Sequence, residues 1–129
     1  MTPDRERLPE RRRSLTQKMS IHDEHGRETG IFVTTSIYED GRLGEVFVGA
    51  TKMGTTMRGV MDALAMVISI ALQHGTPVEA LVAGLEGTQY PPSGAVYVQD
   101  TEGPKPFGPD CVSITDLLAR VLSAYAEAE

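Results

Sequence analysis

An α+β architecture follows from three features of the sequence. Runs of β-branched residues separated by turn dipeptides fill the first fifty positions, a long apolar helical pattern covers TTMRGVMDALAMVISIALQ, and two shorter helical patterns come after it. The expected arrangement is an antiparallel β meander packed on a long buried central helix plus two further helices. At 129 residues the chain is one domain with enough bulk for a real core.

Residues 1–13 contain Pro3, Pro9 and alternating charge without apolar periodicity, so they read as an extended N-terminal arm ordered by packing or by a partner. The folded domain then spans residues 14–129. Leu15, Met19 and Ile21 keep close to a two-residue rhythm, HDEHGRETG is polar and glycine-bearing, and IFVTTSIY is rich in β-branched residues. That is strand, turn, strand. Asp40-Gly41 suits the positive φ of a tight hairpin turn, and EVFVGA continues as a third strand.

In the central helix, Thr55 or Thr56 is the expected N-cap, Gly75 the left-handed terminator, and Pro77 opens the next helix. Met57, Val60, Met61, Leu64, Val67, Ile68, Ala71 and Leu72 fill one face, while Ala63, Ala65, Met66 and Ile70 spread around the remainder. A helix so apolar is expected to be buried on more than one side, by a second helical layer or by another subunit. PVEALVAGLEG reads as a short helix ending near Gly87. TQYPPSGAVYVQDTEGPKPFGPD holds five of the eight prolines and reads as an ordered loop with one short strand at AVYV. Ser113 caps the last helix, SITDLLARVLSAYAEAE, with Asp116 in the capping-box position.

Composition excludes several functions. Cys111 is the one cysteine, so an internal disulfide and a zinc site built from cysteine pairs are ruled out. Nothing at the N-terminus resembles an export signal, and the longest apolar run, VMDALAMVISIAL, is too short for a membrane span and contains Asp62. The expected setting is the cytoplasm, with no membrane partner. A net charge of −6 argues against long nucleic acid, which demands a basic face. Yet five of the twelve basic residues are arginines at 5, 7, 11, 12 and 13, which suits a small anion held at a focused site.

No nucleophile with a neighbouring base is present in the sequence, and neither a phosphate loop nor a dinucleotide fingerprint occurs. Cys111 follows Pro109-Asp110, whose charge opposes thiolate formation. His22 and His25, with Asp23 and Glu24, lie in a hairpin turn without a third fixed ligand, and His74 suits the helix C-terminus. A non-enzymatic protein with no cofactor and no metal is expected. Arg58 is the exception to a bland reading. A cation in the first turn of the central helix opposes the macrodipole unless an anion is near, so it either pairs with Asp62 or, with Thr55 and Thr56, meets a phosphate. Arg120 has the same two readings, a bridge to Asp116 or a ligand contact. Tyr90, beside Pro91 and Pro92, is either a packed tyrosine or a stiff face for stacking a base, and Arg12 belongs either to a solvated arm or to a ligand clamp.

RERLPERRRSLTQKMSI, YEDGRLGEVFV and the stretch from MGTTMRG through PPSGAV together resemble the TSCPD domain found near the C-terminus of vitamin B12-dependent (class II) ribonucleotide reductases, over residues 5–98. The catalytic barrel, the radical cysteine with its redox partners and the cysteine-rich tail of such reductases have no counterpart here, so reductase activity is not expected of this chain. It also resembles stand-alone phage proteins, an anti-Thoeris family that sequesters cyclic ADP-ribose-type signals without cleaving them and whose members capture cyclic oligonucleotides of CBASS systems. That resemblance implies a homo-oligomer, a dimer extending to a trimer of dimers, with ligand pockets between subunits. It implies roles for Tyr90 before the PSG turn containing Ser93, for Arg120 in the last helix, and for Arg58 facing a ligand between dimers. Thr34 and Thr35 stand where the related pattern has an arginine, and Asp100 where it has an asparagine, which shifts weight from the ADP-ribose-type pocket to the surroundings of Arg58. The candidate ligand-binding set is therefore Arg58, Thr55, Thr56, Asp62, Tyr90, Ser93, Arg120 and Arg12. The alternative is an accessory or interaction domain related to the reductases, binding a reductase subunit or an ordinary nucleotide.

Overall fold

The computed structural model describes residues 4–51 and 53–126. Three long strands, β1 (Arg13–His22), β2 (Glu28–Ile37) and β3 (Leu43–Ala50), are followed by helices α1 (Thr55–Gln73) and α2 (Val78–Leu85). Strands β4 (Ala95–Asp100) and β5 (Gly103–Pro106) and helix α3 (Ile114–Ser123) complete the chain. The strands form one antiparallel sheet in the order β3-β2-β1-β4-β5. This is the α+β meander expected, widened by a second hairpin.

Strand alternation gives the sheet two unlike faces. Met19 and Ile21 of β1, Ile31 and Val33 of β2, Val46 and Val48 of β3, and Val96 of β4 point inward and are buried with Ile68 and Leu72 of α1 and Leu117, Leu118, Val121 and Leu122 of α3. The opposite face is polar and partly exposed, although Ser20 and Ser36 on it are buried. There the Ser14 and Ser36 hydroxyls lie 2.7 Å apart, those of Thr16 and Thr34 2.8 Å apart, and Phe32 and Phe47 are exposed.

Helix α1 runs along β3, at the free edge of the sheet. Its Ser69 hydroxyl accepts from the Val46 amide at 3.0 Å and donates to the Val46 carbonyl at 3.1 Å, while Gln73 Nε2 donates to the Gly44 carbonyl at 3.0 Å. Polar side chains thus occupy edge groups that would otherwise invite another strand. By length and mean hydropathy α1 passes as a membrane span. Its polar anchors on the strand edge and the burial of Met61, Ala65 and Ile68 make it a packing helix of this domain.

Four expectations need correction. Helix α1 is buried along one stripe only: Val60, Met66 and Val67 are 54%, 54% and 64% exposed, because within one chain the helix meets the edge of a single sheet and no second helical layer covers it among the described residues. Its N-cap is Gly54 in extended conformation with no side-chain cap bond, so neither Thr55 nor Thr56 serves. The proline-rich segment contains two strands. Pro104 and Pro106 are tolerated in β5 because β5 is an outer strand, where a missing amide faces no partner. Finally, α3 ends at Ser123, short of the expected run to 129, of which residues 127–129 lie outside those described. Gly75 does end α1 with φ +91°, and the amides of Gly75 and Thr76 return to the carbonyls of Leu72 and Ala71.

Of the arm, residues 4–13 are described, Arg13 already opening β1, and the stretch from Arg5 to Leu8 is tied to the domain. The Glu6 amide donates to the Gln73 carbonyl at 2.8 Å, Arg5 Nε donates to Gln73 Oε1 at 2.5 Å, and the Tyr38 hydroxyl donates to the Glu6 carbonyl at 2.5 Å. Gly44 allows this. A Cβ at that position would lie 2.7 Å from Tyr38 Cε2 and 3.0 Å from Leu8 Cδ1. The Tyr38 ring also carries Arg42, whose guanidinium stands 4.5 Å from the ring centroid and bonds Glu6 and Asp40. Burial, with Glu6 nearby, pushes the Tyr38 hydroxyl above its ordinary pKa.

Candidate functional site

The candidate residues fall into three regions of the chain. The first is the start of α1. Gly54 has no side chain to cap the helix, no acid stands in the first turn, and Thr55, Thr56 and Arg58 are exposed. Arg58 and Asp62 form no ion pair, and Arg58 has no side-chain hydrogen bond among the described residues. Its guanidinium is therefore a free cation beside uncapped amide groups, an arrangement that attracts a negatively charged group. Asp62, one turn on, lines a separate groove between α1 and β3 with Glu45, Phe47 and Met66.

The second region surrounds the loop from Phe107 to Ser113. Tyr90 sends its amide to the Val112 carbonyl at 3.0 Å, its hydroxyl shares a short hydrogen bond with Thr115 Oγ1, and that hydroxyl also accepts from the Thr115 amide at 3.2 Å. Arg120 Nη1 donates to the Phe107 carbonyl and Nη2 reaches the Asp110 carbonyl at 3.5 Å, with the guanidinium 5.8 Å from the Phe107 ring centroid. The bridge from Arg120 to Asp116 does not form. Asp116 instead accepts from the amides of Gly87 at 2.8 Å and Val112 at 3.0 Å, while Ser113 Oγ caps α3 by accepting from the Asp116 amide at 2.9 Å. Sequence reasoning anticipated the cap but not the span of Asp116 between two loops.

Ser93 lines an open cleft of about 770 Å³ between this loop and the β1–β2 turn, with His22, Asp23, Asp110 and Cys111. Asp23 Oδ1 accepts from the amides of Arg27 at 2.8 Å and His25 at 2.9 Å, and these bonds, that of Arg27 foremost, hold its carboxyl below the ordinary aspartate pKa. His22 Nε2 lies 3.0 Å from Ser20 Oγ and its ring meets Tyr97 edge-on at 4.9 Å. No group of three potential metal ligands occurs among the described residues. Cys111 is buried, and burial pushes its thiol pKa up.

The third region is the arm. Arg12 makes a paired contact with Glu45, Nε to Oε1 and Nη2 to Oε2 at 3.1 Å each, and donates to the Pro9 carbonyl at 2.9 Å. Within the chain, then, Tyr90, Ser93 and Arg120 are brought around one loop, Thr55, Thr56 and Arg58 around one helix end, and Arg12 stands in a third place with its charge already met.

These features define a small α+β module: a sheet partly exposed on one face, a helix sealing one edge, and cations at loops and at a helix terminus. The chain belongs to the TSCPD domain family, whose profile matches residues 1–126. Among similar curated proteins is a vitamin B12-dependent ribonucleotide reductase of Rhodopirellula baltica, 38% identical over 120 residues, which cover 93% of this chain and 10% of that protein. Proteins of the same name from Bradyrhizobium diazoefficiens and Agrobacterium fabrum are 33% and 35% identical over 98 and 97 residues, 76% and 75% of this chain and 7% of each relative. The chain thus spans a tenth or less of the length of these relatives. No solved structure matches it significantly.

Proposed function

We propose that this TSCPD chain is a non-catalytic binding protein that captures a cyclic nucleotide signal, of the cyclic ADP-ribose or CBASS cyclic oligonucleotide type, and holds it away from its effector without cleaving it. The observation that carries the reading is Arg58: an exposed guanidinium without a carboxylate partner among the described residues, in the first turn of a helix whose amides have no side-chain cap. A phosphate is the group such a corner attracts, and Thr55 and Thr56 add hydroxyl donors beside it. Tyr90 and Arg120 support it less directly, since the tyrosine hydroxyl and the guanidinium already serve the loop they hold.

The reading includes a second copy of the chain. Val60, Met66 and Val67 form an exposed apolar stripe on α1, with Gly59 and Ala63 giving room for close approach of another helix. Such a protein would act in the cytoplasm of an infected bacterial host as an agent of phage immune evasion. The test is titration calorimetry with cyclic di- and trinucleotides and cyclic ADP-ribose isomers. Arg58→Ala should weaken capture by about 1.5–3 kcal/mol, the range for one charge-assisted contact; unchanged affinity for every one of them would refute the assignment.

A second reading is supported by the relatives, every one named here being a vitamin B12-dependent ribonucleotide reductase. On it the chain is an accessory domain that binds a reductase subunit or an ordinary nucleotide. Retention of a reductase, with no cyclic nucleotide retained, favours it.

A further inference from the structure

The arm carries arginines at 5, 7, 11, 12 and 13, and the structure accounts for only part of that charge. Arg5 is bonded to the neutral amide of Gln73, and Arg12 is neutralised by Glu45. Glu6 and Asp40 are committed to Arg42, whereas Glu10 and Glu39 enter no ion pair among the described residues. Arg11 and Arg13 are exposed and have no side-chain hydrogen bond or ion pair among the described residues, and Glu10 between them and Pro9 bonds neither.

Both unpaired arginines line a cleft of about 490 Å³ whose remaining wall is Pro9, Arg12, Ile37, Tyr38 and Glu39. The wall is not loose. Tyr38 is held by Glu6, Arg12 is fixed at both ends by Glu45 and Pro9, and Arg13 begins β1 opposite Ile37. Glu39 is the one carboxylate of the lining, so the cleft keeps a positive excess. Arg11 sits in the bend that precedes β1 and Arg13 opens the strand, and both side chains line the same cleft. Each presents a planar fork that matches one phosphoryl group.

We propose that this cleft is a binding site for a small molecule bearing two adjacent phosphoryl groups, with Arg11 and Arg13 each taking one and the apolar rims of Pro9 and Ile37 contacting the body of the ligand. The site is separate from the corner around Arg58. None of the residues lining the cleft belongs to α1, and neither Thr55, Thr56 nor Arg58 reaches it. The proposal therefore does not depend on the cyclic nucleotide reading.

The test is calorimetry of the whole chain with inorganic pyrophosphate, orthophosphate and citrate. Pyrophosphate is expected to bind more tightly than orthophosphate by about tenfold, one phosphoryl contact being charge-assisted. Arg11→Gln and Arg13→Gln should each weaken pyrophosphate by about tenfold or more with unchanged thermal unfolding, and Glu39→Gln should tighten it. Absence of pyrophosphate binding at millimolar concentration would overturn the proposal. So would citrate binding as tightly as pyrophosphate, which marks unspecific attraction of charge. Loss of pyrophosphate binding in Arg58→Ala but not in the arm variants would move the site to the helix corner, leaving the cyclic nucleotide reading intact and removing this one.

Discussion

The hydroxyl of Ser69 both accepts from the amide and donates to the carbonyl of Val46, so one side chain of α1 completes the backbone hydrogen bonding of the edge strand. Ser69→Ala leaves two buried backbone groups without partners, which costs about 1–3 kcal/mol. Urea denaturation should show that loss as a lower midpoint with unchanged slope. Ser69→Thr, which keeps the hydroxyl, should lose less.

Gly44 is where the arm, the Tyr38 ring and β3 meet. Gly44→Ala places a methyl within 3.0 Å of Tyr38 and Leu8. Since the Tyr38 hydroxyl is bonded to the Glu6 carbonyl and its ring carries Arg42, displacing the ring disturbs the arm, and overpacking of this kind costs about 1–3 kcal/mol. Limited proteolysis after Arg7 or Arg11 should be faster in the variant than in the parent.

Cys111 is 1% exposed and its thiol pKa is raised by burial. Because the folded state disfavours the thiolate, stability is present at neutral pH and falls as the pH rises through the unfolded thiol's ordinary range near 8.5. A disulfide reagent at pH 8 should label the native protein only at the rate of unfolding, and immediately in denaturant. Rapid labelling under native conditions would contradict the burial.

Tyr90 tests structure against stacking. Tyr90→Phe removes the hydroxyl that serves Thr115 twice and should cost about 0.5–1.5 kcal/mol of stability, read by denaturation. If the ring also meets a ligand base, Phe at this position retains affinity while Tyr90→Leu loses it, the loss for a stacked base being about 1–3 kcal/mol.

The meander was legible because β-branched residues and Asp40-Gly41 carry local information that tertiary packing reinforces. The turn glycine Gly75 and the cap Ser113 were legible for the same reason. Strand β5 was hidden by its prolines, since sequence does not announce that a strand will be outermost. Apolar composition gave the existence of α1 but not its exposure, because Met66 and Val67 look the same in sequence whether a sheet, a subunit or water faces them. Ser69 and Gln73, four residues apart in the otherwise apolar second half of α1, are a readable sign of a polar anchor. The roles of Arg12 and Arg120 depended on Glu45 and on the carbonyls of Phe107 and Asp110, partners too distant in sequence to be paired by pattern.

Capture without chemistry is measured most directly by incubating the chain with a mixture of cyclic di- and trinucleotides and cyclic ADP-ribose isomers, filtering, and heating the retained protein. The account predicts that one of these ligands disappears from the filtrate and returns from the heated protein chemically unchanged. Every ligand remaining in the filtrate, or a linear product on heating, would contradict it.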